Sequence, residues 1–228
     1  IKKCKRIISS GDSIHFRGEC YFFFVMIMEV MRMSITDKFG SAVGNMSLEN
    51  SEKARKLLLT GYRLQEKRLL IFPDRGLPAS GQYAARLVMQ RIIQALEKPE
   101  RAAMVSIFVP GELLTAAGLT PYSVEALSCF MAGTKCEQTF LRKTEEEGFP
   151  ETMCSYHRVF LGAALTGLLP KPKCMVYTNL ACDGNMMTFP YLKETYDIPG
   201  FYIDVPYICY ASHPLSTKFT TSICKRQI

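Results

Sequence analysis

No apolar run in this sequence is long enough to cross a membrane. The longest one, CYFFFVMIM over residues 20–28, is ended by Glu29, whereas a membrane-spanning helix needs about 20 apolar residues. No small-residue cleavage site follows it, so the basic residues before it do not complete a secretory signal peptide. We therefore expect neither a membrane anchor nor a secretory signal.

Several common functional motifs are also absent. The sequence has no phosphate-binding P-loop, no G-x-G-x-x-G and no H-E-x-x-H, and no Ser/His/Asp catalytic set can be named. Aromatic residues do not interleave with a basic patch, which excludes the usual pattern of nucleic-acid binding. The nine cysteines are an odd number in a chain of 228 residues. This favours reduced thiols in a cytoplasmic protein over a secreted disulfide scaffold.

The net charge of +7 is concentrated at the two ends of the chain. Residues 1–33 and residues 208–228 each carry a net charge of +3, while the body over 34–207 carries only +1. The residues after 206 also have no clear period and no acidic residue, and the chain begins with Ile1 rather than Met. The sequence therefore predicts that 1–33 is a non-native leader, with the true start at Met31 or Met33. It also predicts an atypical tail over 208–228.

Hydrophobic periodicity divides the body into two regions. Apolar residues at helical spacing predict amphipathic helices over 47–70, capped by Asn50 or Ser51, and over 79–96, so 34–100 is an N-terminal helical region. From 101 to 207, short apolar runs predict buried strands over 103–109, 173–178 and 198–205. They alternate with helices predicted over 112–117, 158–168 and 186–196, and 121–127 fits either a strand or a helix start. This alternation predicts an α/β fold, a Rossmann-like lobe with a parallel sheet.

Two cysteines stand where an α/β fold places its ligands. Cys182 follows a predicted strand, and Cys154 lies in the loop before the helix that leads into that strand. Ligands sit beyond the carboxyl ends of parallel strands, and thiolates hold iron–sulfur clusters. The alternative is that both are inert buried cysteines. His157 is the one histidine near this site. It either has a role in the site or is a surface or capping residue.

The remaining cysteines of the body show weaker patterns. Cys129 and Cys136 form a C-x₆-C pair, which matches no common metal-ligand spacing. Cys174 lies in an apolar predicted strand and is expected in the core. Only Cys154 and Cys182 therefore remain as candidate ligands.

Four segments resemble the 2-hydroxyacyl-CoA dehydratase family, which includes 2-hydroxyglutaryl-CoA dehydratase and benzoyl-CoA reductase subunits. The resemblance covers roughly residues 100–207 and is strongest in PGELLTAAGLTP over 110–121. CSY at 154–156 looks like the context of the family's first cluster cysteine, and TNLACD at 178–183 looks like that of the second. IPGFYIDVP at 198–206 is similar to the strand that follows.

The resemblance implies a subunit that binds a [4Fe-4S] cluster through three cysteines, of which Cys154 and Cys182 would be two. The third ligand lies further downstream in the family, in a second lobe. The resemblance therefore implies that this chain is a truncated or frame-shifted member, or a half-lobe with another use. The implied reaction removes water from a 2-hydroxyacyl-CoA through a ketyl radical. The implied partners are a second subunit of similar fold and an ATP-dependent iron–sulfur activator. Two alternatives remain: a benzoyl-CoA reductase-like or double-cluster electron-transfer protein, and a cluster-free α/β binding or interaction module.

Overall fold

The structure is a computed structural model that describes residues 35–73, 76, 78–180 and 182–205. The leader predicted over 1–33 and the tail predicted over 208–228 lie outside these residues. Within the described part of the chain, no helix is both long and apolar enough to span a membrane.

Three helices precede the sheet. Helix α1 covers residues 35–49, α2 covers Ser51–Ile71 and α3 covers Ala79–Glu97. Asn50 separates the first two and caps α2, because its Oδ1 accepts a hydrogen bond from the backbone N of Lys53 at 2.9 Å. The single helix predicted over 47–70 is therefore wrong at its start, since residues 47–49 belong to α1.

The sheet has four parallel strands in the order β2-β1-β3-β4. The strands are β1 (Ala102–Val105), β2 (Thr120–Ser123), β3 (Cys174–Thr178) and β4 (Gly200–Ile203). The helices between them are α4 (Gly111–Ala116), α5 (Val124–Gly133), α6 (Glu137–Glu146), α7 (Ser155–Leu165) and α8 (Asn185–Tyr196). This arrangement confirms the predicted α/β fold with a parallel sheet and N-terminal helices.

Two parts of the α/β region differ from the sequence prediction. Strand β1 ends at Val105, not at 109, because the chain turns where the backbone N of Val109 donates to Ser106 O at 3.1 Å. Helices α5 and α6 occupy residues 124–146, where the sequence pattern predicted no complete helix. Helix α6 is polar and buries only Phe140 and Thr144, so it has few of the apolar residues by which a core-facing helix is recognised.

Side chains from both regions share one large core on one face of the sheet. The core includes Val43 and Leu58 from the N-terminal helices, and Met104, Phe160 and Phe189 from the α/β part. A second, smaller core of Ala103, Val105, Val109 and Val176 lies on the other face, packed against side chains that include Leu114 of α4. Burial of each large apolar side chain contributes about 1.5–3 kcal/mol. The sheet is therefore covered on both faces, as its apolar strands predict.

Candidate functional site

The strand order places a crevice at the carboxyl ends of β1 and β3. The chain passes from β1 to β2 on one side and then returns to β3 on the other side of β1. Connections that leave in opposite directions open a crevice between the two strands, where α/β proteins bind ligands. Ser106 links the strands here: its N donates to Val176 O and its Oγ accepts from Thr178 N, both at 3.3 Å.

Asparagine side chains hold the loop that follows β3. Asn179 Nδ2 donates to Asp204 Oδ1 at 2.9 Å and to Val205 O at 3.1 Å, while its Oδ1 accepts from Val205 N at 2.8 Å. Asn185, which is buried, donates from Nδ2 to Thr178 O at 2.9 Å. The loop is thus fastened to β4 on one side and to its own strand on the other.

Cys182 lies in this loop and faces a buried histidine. Its Sγ is half-buried and is 3.2 Å from His157 Nε2. Gly184 passes close to both groups: a Cβ at this position would lie 3.0 Å from the His157 ring and 3.3 Å from Cys182 Sγ. Glycine at this position therefore lets the backbone pass close to both the imidazole ring and the thiol.

The hydrogen bonds around His157 define its tautomer. Thr188 Oγ1 donates its one hydrogen to Gly184 O at 2.8 Å, so it accepts from His157 Nδ1 at 2.9 Å. The lone pair of a neutral ring then lies on Nε2, which accepts from the Cys182 thiol. Burial lowers the pKa of His157, while the charge of Glu125 opposes this effect. His157 is 1% exposed, so the surface position considered from sequence is wrong.

Cys154 is exposed and stands at the start of α7, one helical turn before His157. Its carbonyl oxygen accepts from Arg158 N at 3.1 Å. The Ser128 hydroxyl of α5 donates to Tyr156 O at 2.7 Å and thereby fixes the first turn of α7. Cys182 is thus joined through His157 to the first turn of α7, the helix that Cys154 precedes.

Helix α7 is held firmly against α6. The Thr144 hydroxyl contacts the carbonyl oxygens of Phe140 at 2.8 Å and Arg158 at 2.7 Å, and Arg158 forms an ion pair with Glu145. Arg158 Nη1 also donates to Glu151 O at 3.0 Å. These contacts position the first turn of α7, which carries Cys154 and His157.

The described residues contain no group of three or more His, Cys, Asp or Glu side chains arranged to hold a metal ion. Sequence reasoning singled out Cys154, His157 and Cys182, but it missed Thr188 and Gly184. Their spacing could have indicated them. Gly184 precedes α8 and Thr188 follows four residues later, so the two lie on one face of that helix.

The other described cysteines occupy different environments. Cys129 is exposed on α5 and contacts Tyr156 Oη at 3.5 Å, and this hydrogen bond and the charge of Cys129 raise the pKa of Tyr156. Cys136 is buried, and burial raises the pKa of its thiol to about 11. Cys174 begins β3 and is only half-buried, so its predicted core position holds in part.

These environments predict selective alkylation of the thiols. We expect Cys136 to react with iodoacetamide about a hundredfold more slowly in the folded protein than in the urea-unfolded chain, because the thiolate is the reactive form and its thiol pKa rises from 9.0 to about 11. The exposed Cys129 and Cys154 serve as internal controls that react in both states. Mass spectrometry of tryptic peptides measures the rates, and equal rates for Cys136 in the two states would contradict its burial.

Comparison with known proteins identifies the family. Residues 106–225, more than half of the chain, match the family model of the D-component of 2-hydroxyglutaryl-CoA dehydratase. The match thus runs past residue 207, where the resemblance was expected to end. The (R)-phenyllactyl-CoA dehydratase alpha subunit of Clostridium sporogenes is 26% identical over 120 residues, which are 50% of this chain and 30% of that relative. The chain therefore belongs to the family of 2-hydroxyglutaryl-CoA dehydratase D-components, as its sequence motifs predicted.

Proposed function

We propose that this chain is the iron–sulfur subunit of an enzyme that removes water from a 2-hydroxyacyl-CoA. In this proposal Cys154 and Cys182 provide two of the ligands of a [4Fe-4S] cluster. The observation that carries it is the position of Cys182 after β3, at the carboxyl ends of β1 and β3, where its thiol is paired with the buried His157. Membership of the dehydratase family supports the reaction class.

The chemistry of the two cysteines fits part of such a site. Both are free thiols, and iron–sulfur clusters are held by cysteine thiolates. Cys154 is exposed and Cys182 is half-buried, so neither sulfur is enclosed by apolar side chains. The described residues contain no third cysteine beside them, so we assign two ligands and leave the remaining ones to residues outside the described part or to another chain.

The surrounding residues would orient the sulfur atoms. In the free protein the Cys182 thiol donates to His157 Nε2, which fixes the direction of Sγ, and this hydrogen would leave when the sulfur binds iron as a thiolate. Asn179 and Asn185 keep the loop in register with β3 and β4. When bound, the cluster would supply a low-potential electron for the thioester and an iron that can act as a Lewis acid. The chain's own part is to hold the thiols at the mouth of a crevice where an acyl thioester can approach.

We further propose that activity requires other proteins. The phenyllactyl-CoA dehydratase relative is named as an alpha subunit, and this chain covers 30% of its length. A second dehydratase subunit of similar fold would complete the active site. An ATP-dependent iron–sulfur activator would deliver the electron.

Iron binding by the full-length chain tests the proposal. After anaerobic reconstitution with iron and sulfide, we expect brown protein with bound iron and broad visible absorption. Cys154→Ser and Cys182→Ser should each lose most of the iron, because each removes a thiolate ligand. Iron and sulfide per chain are measured chemically, and electron paramagnetic resonance of the reduced protein identifies the cluster type.

The matched control is Cys129→Ser, which removes another exposed thiol near Tyr156. This variant should keep its iron. Iron retained by both Cys154→Ser and Cys182→Ser would refute the ligand assignment. Colourless wild-type protein would favour the cluster-free α/β module, and reduction of an aromatic acyl-CoA by the loaded complex without loss of water would favour the reductase alternative.

A further inference from the structure

A second cleft lies at the opposite edge of the sheet. It has a volume of about 400 Å³ and is formed where α3 ends and where β1 and β2 begin. We call it the basic cleft and define it by Arg91, Lys98, Arg101, Thr115 and Thr120. The crevice with Cys182 is at the carboxyl ends of the strands, so a four-residue strand, roughly 13 Å long, separates the two.

The charge of the basic cleft is unbalanced. Its lining has three cations and, among the described residues, one carboxylate, that of Glu97. This carboxylate is already engaged, because Arg63 Nη2 lies 2.6 Å from Glu97 Oε1. Arg91 and Lys98 form no ion pair within the described part of the chain. Three like charges around one cavity repel each other, and an anion between them would relieve that repulsion.

The third cation is fixed in place by the backbone. Arg101 donates from Nη2 and Nε to Gly118 O at 3.0 Å and 3.3 Å. Gly118 ends the segment after α4 with a φ of +77°, a conformation that favours glycine. The guanidinium therefore lies across the start of β2, and its Nη1 remains available as a donor.

Hydroxyl groups complete the lining. Thr120 begins β2, and its hydroxyl forms no hydrogen bond with any described residue. The Thr115 hydroxyl donates to Gly111 O at 3.0 Å. Among the residues that the structure describes, the cleft thus offers two cations without an ion-pair partner, one fixed guanidinium and one hydroxyl without a hydrogen bond, all around a single cavity.

We propose that the basic cleft binds the phosphate group of a small phosphorylated molecule. A phosphate dianion offers several acceptor oxygens and two charges, and it can accept from three cations and a hydroxyl at once. A carboxylate has a single charge and two oxygens, too few for these donors. The cavity volume lies within the range of about 300–1,000 Å³ found for small-molecule sites. This site is independent of the iron-binding proposal, because no residue is shared.

Isothermal titration calorimetry of the full-length chain at low salt tests the proposal. Inorganic phosphate and adenosine 5′-monophosphate are the two probes, and sodium acetate is the carboxylate comparator. We expect saturable binding of at least one phosphate probe, weakened by added salt. Arg91→Gln and Lys98→Gln should each lower its affinity about tenfold or more, as expected for the loss of one charged hydrogen bond.

The control is Arg142→Ala, which removes an exposed cation of α6 outside the cleft and should leave affinity unchanged. Tighter binding of adenosine 5′-monophosphate than of inorganic phosphate would identify a nucleotide site. Equal affinity for the two probes would identify a site for the phosphate group alone. Either result supports the proposal. No saturable phosphate binding, equal binding of acetate, or unchanged affinity in both Gln variants would overturn it. Circular dichroism confirms that the variants are folded.

Discussion

Gly162→Ala should destabilise the protein by about 3 kcal/mol, the upper end of the usual cost of overpacking a core. Gly162 lies in α7 where the helix crosses α6, and a Cβ at this position would overlap the carbonyl oxygen of Phe140 and lie 2.8 Å from Thr144 Oγ1. The obstacle is backbone, so it cannot move aside as a flexible side chain would. The helices must separate, which disrupts packing around buried Phe140 and Phe160. Urea unfolding followed by circular dichroism measures the loss.

A glycine elsewhere provides the matched control. Gly133 is the last residue of α5, and a Cβ added there would contact nothing within 4 Å. Gly133→Ala should therefore leave stability unchanged or raise it slightly, because alanine favours helix. Equal midpoints for Gly162→Ala and wild type would show that α6 and α7 are further apart than the structure places them.

This prediction extends to the candidate site. Helix α7 carries Cys154 at its start and His157 in its first turn. A separation of α6 from α7 would shift both residues relative to Cys182. Any Gly162→Ala protein that remains folded should therefore also bind less iron than wild type in the reconstitution experiment.

The second large effect is expected from Glu145→Ala. Arg158 is 8% exposed, and Glu145 is its charge partner. Removal of the carboxylate leaves a buried guanidinium with the carbonyl oxygen of Glu151 as a remaining acceptor. We expect a loss of about 2 kcal/mol, which is less than the roughly 3–5 kcal/mol for a fully buried pair because a third of the Glu145 side chain is exposed.

Two further variants separate the cost of an unpaired charge from the loss of a contact. The double variant Glu145→Leu with Arg158→Met removes both charges and should recover most of the lost stability. Glu52→Ala breaks the exposed pair with Lys56 and should not shift the urea midpoint. A double variant as unstable as Glu145→Ala would show that the packing of Arg158, and not its charge, matters.

The elements that the sequence predicted well were those with strong apolar patterns. Strand β3, helix α3 and helix α8, which continues through Pro190, were all found close to their predicted bounds. Helix α6 was missed because it is polar overall, and its buried face carries only Phe140 and Thr144. Strand β1 was predicted too long because 106–109 is as apolar as the strand, although it turns away at Ser106.

The family motifs, the position of Cys154 before a helix and the position of Cys182 after a strand could be read in the sequence alone. Local patterns carry this information, since helices, strands and turns depend on neighbouring residues. The pairing of His157 with Cys182, the role of Thr188 and the close approach at Gly162 were decided by the tertiary structure. These contacts join residues on different elements, and their geometry follows only from how α6, α7 and α8 pack together on the sheet.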